Sequence, residues 1–316
     1  MKEIKRVLIA GAGAIGSMVA RELSRGDGIE TAILAAGPRL GRYRKDGFVL
    51  NGEKAGFEIA DAAEPGQWDL VVVACKFHHL SQVMDDLQNH VGPDTIILSL
   101  LNGVSSEELL RKRFPLARVP LAMIIGTDAG REGNATVYSN EGTIFFGDDE
   151  NAENPAEWSA PVRSIAALFD RCAISYTVPR NMRNRLWYKF MMNVGLNQTT
   201  AVLRESYRIL QTPTRIPEAA ELFESAMREV ALVAAAEGVV LTDGDVREMY
   251  RVLDTLSPEG KTSMCQDVEA GRKTEVEMFA LAVMELGKKH GIEVPVNETL
   301  YRLLRVIEQA AGVRGS

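Results

Sequence analysis

The chain has 316 residues, 46% of them hydrophobic and 25% charged, with 36 basic against 43 acidic residues and a formal net charge of −7. That length suits two domains, and the interspersed charges offer no basic face to a nucleic acid, so an anionic ligand has to be held by a few local cations. Cys75, Cys172 and Cys265 are too widely spaced for a disulfide framework or a zinc site, and His78, His79, His90 and His290 show no ligand spacing, so no metal and a reducing, cytoplasmic compartment are expected.

Lys2, Lys5 and Arg6 ahead of the apolar run from Val7 to Ala20 superficially resemble a signal peptide, but Gly11, Gly13 and Gly16 interrupt that run. No later stretch is long and apolar enough to span a bilayer, so no membrane partner is expected. Arg6-Val7-Leu8-Ile9-Ala10 reads instead as a buried parallel strand. It leads into Gly11-Ala12-Gly13-Ala14-Ile15-Gly16 and a helical pattern through Leu23. A glycine triplet between a strand and a helix is the context of a dinucleotide-binding turn. The first glycine allows the turn, the second lets the backbone approach a pyrophosphate, and the third brings helix and strand together. The helix N-terminus, from Ala14 and Ile15, then faces the phosphates.

The second strand is read at Thr31-Ala32-Ile33-Leu34. A carboxylate at its end would select NAD through the ribose 2′-hydroxyl. The chain instead has Ala35-Ala36-Gly37-Pro38-Arg39, with Arg42 and Arg44 following. Guanidinium groups suit a 2′-phosphate, which favours NADP(H), although such arginines are also ordinary solvated loop residues. Phe48-Val49-Leu50 and Phe57-Glu58-Ile59-Ala60 read as a small inserted hairpin, and Asp69–Ala74 as the next buried strand. Lys76, just past that strand, stands where ligands of open α/β sheets bind, a position equally open to a surface lysine. A helix around Ser81–Asn89 and a strand at Thr95–Leu100 follow, and Asn102-Gly103 again lies just past a strand. Asn-Gly is also a common turn. Short strands with glycine turns, including Thr136–Tyr138 and Thr143–Phe146, suggest an antiparallel extension. A helix near Ala156–Asp170 and a strand at Ala173–Val178 complete a domain over 1–180.

The remaining 181–316 reads as helical. Within Leu186–Asn197 most residues are apolar, yet Lys189, Asn193 and Asn197 recur at i, i+4 and i+8, which stacks them on one helix face. Buried polar groups cost about 1–3 kcal/mol each unless paired. Protein groups or water would meet that need for any single Asn; three in one row point to a ligand. A lysine partly withdrawn from water suits proton transfer near neutral pH. Further helices are expected at Pro217–Glu237 and Gly244–Leu256. Ser263-x-x-Gln266 has the form of a capping box for a long helix ending at Gly291, and a hydroxyl at a helix N-terminus can also receive a carboxylate. Glu275 lies one turn before Phe279, on the side of the apolar stripe Phe279, Ala282 and Leu286.

From Gly11 to about Pro295 these residues resemble the ketopantoate reductase (2-dehydropantoate 2-reductase) family. The resemblance rests on Gly11-x-Gly13-x-x-Gly16, Lys76, Asn102-Gly103, Leu186-Trp187-x-Lys189-x-x-x-Asn193-x-x-x-Asn197, Ser263-Met264-x-Gln266-Asp267 with Thr274-Glu275, and Gly291-Ile292-x-Val294-Pro295. It implies a Rossmann domain followed by a helical domain, with the active site in the cleft. Hydride would pass from NADPH to the carbonyl carbon of a branched 2-keto acid, ketopantoate being reduced to pantoate for pantothenate biosynthesis. Lys189 would protonate the alkoxide with Glu275 supporting it; Asn193 and Asn197 would hold substrate oxygens and Ser263 the carboxylate. Lys76 and Asn102 would lie on the nicotinamide side, and a homodimer is compatible with the family. The chain departs from the pattern at Ala35, where many members carry Arg, so Arg39 or Arg42 must serve; at Gly260, where better-known members carry a substrate-binding Asn; and at Tyr207, where some carry another. On this reading Gly260→Asn should strengthen ketopantoate binding. A reductase of another branched 2-keto acid and a non-catalytic dinucleotide sensor are the competing readings; retention of Lys189 and Glu275 argues against the sensor.

Overall fold

The structure, a computed structural model, describes residues 3–312. The chain divides into two compact units, Met1–Arg183 and Asn184–Ser316.

The first unit is built on five parallel strands: β1 (Arg6–Ala10), β2 (Glu30–Ala35), β5 (Glu58–Asp61), β6 (Leu70–Val73) and β7 (Ile96–Ser99), ordered β5-β2-β1-β6-β7. Ile9 stands opposite both Ile33 and Val72, so β1 is central. Both faces are covered, which is why the strands read as unbroken apolar runs. Val7, Ile9, Val72 and Leu98 pack on one face with Met18, Leu23 and Phe169; Leu8, Ala10, Val71 and Ile97 pack on the other with Leu80, Leu87 and Leu110. The covering helices are α1 (Ala14–Leu23), α2 (Pro38–Asp46), α3 (Leu80–Asp86), α4 (Ser106–Arg113) and α5 (Ala160–Arg171). The strand order reverses beside β1, and ligands of such sheets bind beyond the carboxyl ends at that point.

The expected antiparallel extension takes the form of two further sheets, each of which also holds one parallel strand pair. β3 (Phe48–Leu50), β4 (Glu53–Ala55), β9 (Gly130–Glu132) and β10 (Ala135–Val137) are ordered β4-β3-β10-β9. β8 (Leu121–Ile125), β11 (Thr143–Gly147) and β12 (Tyr176–Thr177) are ordered β12-β11-β8. The expected hairpin needs correcting. Phe48–Leu50 pairs with Glu53–Ala55, not with Phe57–Ala60, because Asn51 and Gly52 both take positive φ (49° and 83°) and close a two-residue turn. The segment expected as its second arm becomes β5, the edge of the parallel sheet. Helix α5 starts at Ala160, four residues later than expected, after a single tight turn at Pro155–Glu157.

The second unit contains α6 (Met182–Leu203, its first two residues belonging to the first unit), α7 (Pro217–Ala236), α8 (Asp243–Asp254), α9 (Ser263–Glu269), α10 (Ala282–His290) and α11 (Pro295–Ala310). A Cβ at Gly195 would come within 2.7–2.9 Å of Met227 and Phe223, so α6 lies against α7 with no room to spare. Gln198, fully buried, donates to Asn297 Oδ1 (3.1 Å). Asn297 in turn donates to Glu229, whose carboxylate also accepts the Val296 and Asn297 amides at the start of α11. That carboxylate satisfies orphan amides of a helix N-terminus and so joins three helices.

The long helix expected over 263–291 is broken. Its first piece, α9, ends at Glu269 and Gly271 takes a φ of 63°. Thr274 is then tied down by Glu308 through its amide (2.8 Å) and hydroxyl (2.6 Å). The chain resumes through one wide turn, Glu277–Leu281, into α10.

Candidate functional site

In the first unit the glycine triplet separates into two roles. Gly11 has a φ of 113°, and a Cβ there would lie 2.8 Å from Ala74 and Cys75 backbone atoms. A Cβ at Gly16 would overlap the Gly11 carbonyl oxygen. Both are demanded by the chain's own packing. Gly13 is different: it is exposed, and its Cβ would meet nothing nearer than the Ala74 oxygen at 3.8 Å. Packing leaves that side of the turn open to another backbone-sized group. Gly13 precedes α1 with no side-chain cap, leaving the first-turn amides for an anion. These features fit a dinucleotide pyrophosphate.

Lys76 lies just beyond β6 and is exposed, opening the tight turn Phe77–His79; Asn102 lies just beyond β7 and is half-buried. Because β1, β6 and β7 are consecutive in the sheet, the glycine turn, Lys76 and Asn102 share one end of it. Behind the Asn102 loop runs a buried polar chain: Ser99 Oγ lies 2.8 Å from Ser106 Oγ, Ser106 Oγ donates to Glu107 (2.8 Å), and Glu107 accepts from the Ala122 amide (3.3 Å). Burial pushes the Glu107 carboxyl up from its ordinary value.

At the end of β2, Ala35 is buried and Arg39 sits in α2 with its guanidinium 3.5 Å from Asp86 of α3. Arg42 lies over the Tyr43 ring at 5.6 Å. The structure adds a residue that the sequence reading missed. Arg131, from β9, donates to the Ala12 carbonyl of the glycine turn and to Ser17 Oγ (3.0 Å), and lies over the Phe48 ring at 5.3 Å. Burial pulls its pKa below the usual value, and the charge of Arg42 acts in the same direction. A single arginine 119 residues from Ala12 carries no sequence signal; the four-stranded sheet brings it there.

In the second unit Lys189, Asn193 and Asn197 are buried at 9%, 8% and 7% exposure. At about 100° per residue they span roughly 80° of the α6 circumference, and Thr200 falls in the same sector. Gly195 and Gln198, committed to α7 and α11, fall on the far side. The ridge therefore faces away from the contacts that α6 makes with α7 and α11. Thr200 Oγ1 lies 2.8 Å from Thr262 Oγ1, which joins the ridge sector to the start of α9.

Ser263 requires a correction. The N-cap of α9 is Thr262, whose side chain accepts from the Cys265 amide at 3.2 Å. Ser263 is the first helical residue and is exposed; Gln266 donates to the Lys261 carbonyl (3.1 Å), so no capping box forms. Glu275, half-buried, follows the anchored Thr274, and its carbonyl receives the Met278 amide at 2.9 Å as the chain turns toward α10. Gly260 and Tyr207 meet: a Cβ at 260 would come within 2.8 Å of Tyr207 Cε2 and 2.9 Å of the Ser257 carbonyl. Gly260→Asn on its own would thus collide with the ring, and the simple gain expected for it does not follow. Among the described residues no group of three or more His, Cys, Asp or Glu could hold a metal, and no helix is long and apolar enough to cross a membrane.

Two family models match, "Ketopantoate reductase PanE/ApbA" over residues 7–151 and "Ketopantoate reductase PanE/ApbA C terminal" over 181–308. The 2-dehydropantoate 2-reductase of Halobacterium salinarum is 28% identical over 310 residues, covering 96% of this chain and 99% of its own. Among solved structures, a D-mandelate dehydrogenase with NADH and anilino(oxo)acetate superposes with a TM-score of 0.84 at 23% identity, over 98% of this chain and all of that one. A dimeric ketopantoate reductase from Staphylococcus aureus gives 0.77 at 22%, over 97% of this chain and all of that one. At those identities the two structures speak for the fold alone.

Proposed function

The chain belongs to the ketopantoate reductase family, and on that premise we propose that it reduces the carbonyl of a branched 2-keto acid, with NADPH as reductant and Lys189 as general acid. The observation that carries this reading is the buried row of Lys189, Asn193 and Asn197, set on the sector of α6 that the helix does not use to pack on α7 and α11. A reduced nicotinamide, when bound, supplies the hydride; Gly11, Gly13, Ala14, Ile15 and Gly16 would cradle its pyrophosphate, with Lys76 and Asn102 on the nicotinamide side.

The chemistry asks the protein for three things. The alkoxide that forms at the former carbonyl oxygen needs a proton, and Lys189 Nζ carries one. Developing negative charge is stabilised by donors already in place, and the Asn193 and Asn197 amides supply N–H groups on adjacent turns. The acid must be held in its donating form and position, the role we give to Glu275; Ser263 is assigned to the carboxylate. Arg39 is assigned to a 2′-phosphate. Retention of an ammonium at so buried a position supports an enzyme over a passive dinucleotide sensor, which has no use for a proton donor.

The test is consumption of NADPH by the full chain across branched 2-keto acids including ketopantoate, with chiral analysis of the hydroxy-acid product. Stoichiometric formation of a 2-hydroxy acid is expected. Tight NADPH binding with no turnover on any 2-keto acid would return the sensor reading.

A further inference from the structure

We propose that Tyr207 and Gly260 form a single specificity element that selects a 2-keto acid with a hydrocarbon group, and no hydroxyl, beyond its carbonyl; this rests on the 2-keto acid reductase reading above. The two positions are 53 residues apart, yet each explains the other. The Tyr207 ring occupies the space into which any side chain at 260 would grow, with Cε2 and Cδ2 2.8 and 2.9 Å from the Cβ position. Backbone hydrogen bonds hold the two segments side by side. The Tyr207 amide donates to the Gly260 carbonyl (3.0 Å), the Arg208 amide to the Pro258 carbonyl (3.1 Å), and the Gly260 amide closes a turn on Ser257 (2.9 Å). Two segments are thereby laced together across one aromatic ring.

The position matters as much as the contact. Thr262, two residues beyond Gly260 and hence within about 7 Å along the chain, is the buried residue hydrogen-bonded to Thr200 in the ridge sector of α6. Tyr207 itself is half-buried, so part of its ring remains available. Burial also raises its pKa, which keeps the phenol neutral. In this region the resemblance places amide side chains that recognise a substrate hydroxyl. Here a ring covers a glycine instead. A site that hydrogen-bonds a substrate hydroxyl discriminates strongly, whereas an apolar wall turns away an added hydroxyl only by about a hundredfold. The expectation is accordingly modest in size and clear in direction.

The experiment is kcat/KM of the full chain, by NADPH consumption, for phenylglyoxylate, 3-methyl-2-oxobutanoate and ketopantoate. The wild-type protein should favour one or both hydrocarbon substrates over ketopantoate by about ten- to a hundredfold, mostly through KM. Tyr207→Phe should leave that ratio within about threefold, because the ring and not its hydroxyl does the selecting. Tyr207→Asn combined with Gly260→Asn should move the ratio toward ketopantoate by at least about tenfold, while Gly260→Asn alone should impair all three substrates through its collision with the ring. If the double variant does not fold, Tyr207→Ala carries the test: it should lose hydrocarbon substrates selectively. Equal or better use of ketopantoate by the wild type overturns the proposal but leaves the reductase reading intact. So does a loss of more than about tenfold on ketopantoate in Tyr207→Phe, which would make the phenol a hydroxyl ligand. Absence of turnover on all three substrates, with either nicotinamide cofactor, takes down both readings.

Discussion

Replacing Lys189 by Met separates the chemical role of the ridge from a structural one. The substitution keeps an unbranched stem at a site of 9% exposure and removes only the ammonium. Volume-conserving core changes cost less than about 1.5 kcal/mol. At about 2–4 °C per kcal/mol for a domain of this size, Tm should move by less than about 6 °C in either direction. Loss of a positioned acid lowers kcat by about 10²–10⁴, which is about 2.7–5.4 kcal/mol of barrier at 1.36 kcal/mol per decade. The rate effect is therefore about two to four times the largest stability effect. Three measurements decide it: kcat at saturating 2-keto acid, NADPH affinity by fluorescence titration, and thermal unfolding. The expected pattern is a collapse in kcat with cofactor affinity and Tm nearly unchanged. A folded Lys189→Met protein turning over within tenfold of wild type would refute the reasoning, and activity falling only in step with Tm would make the ridge structural.

Glu275→Ala should lower kcat as well, and because both residues act on one proton transfer the Lys189→Ala/Glu275→Ala protein should be little worse than Lys189→Ala; additive losses would separate their roles. NADPH should bind more tightly than NADH, and Arg39→Ala should weaken NADPH by about tenfold, the worth of one charge-assisted hydrogen bond, while sparing NADH; equal binding of the two cofactors would remove the arginine assignment. Glu107→Gln tests the buried chain behind Asn102. Burial raises the folded pKa of Glu107 above its unfolded value, so its contribution is fully present below the unfolded pKa and is lost as pH rises through the folded one. Wild-type Tm should thus fall relative to the Gln variant as pH rises above the ordinary carboxyl value of 4.5, and parallel Tm curves would show that the Glu107 pKa is the same in the folded and unfolded states.

Much of the fold is legible along the chain because it depends on local chemistry. The strand at Arg6–Ala10, the glycine turn and the strands ending before Lys76 and Asn102 announce themselves through unbroken apolar runs between turn residues. Burial on both faces imposes that pattern residue by residue. The polar row on α6 is equally legible, since a helix converts i, i+4, i+8 spacing into one face with no help from the rest of the molecule. The segments misread were those whose local signals are neutral. Glu53-Lys54-Ala55 is too polar to look like a strand, yet Asn51-Gly52 folds it onto Phe48–Leu50. The expected continuous helix over 263–291 has helical character throughout, but Thr274 is claimed by Glu308, 34 residues away.

What the sequence by itself determined is the parallel sheet, the glycine turn at its switch point and the polar sector of α6, all set by repeats a few residues long. The tertiary structure alone decided that Thr262 and not Ser263 caps α9, that Arg131 reaches the Ala12 carbonyl, and that Tyr207 fills the space above Gly260. Each involves segments far apart in the chain: Thr262 is held by Thr200, Arg131 meets Ala12, and Tyr207 meets Gly260. Such pairings are chosen by the shape of the whole core, and no local propensity records them.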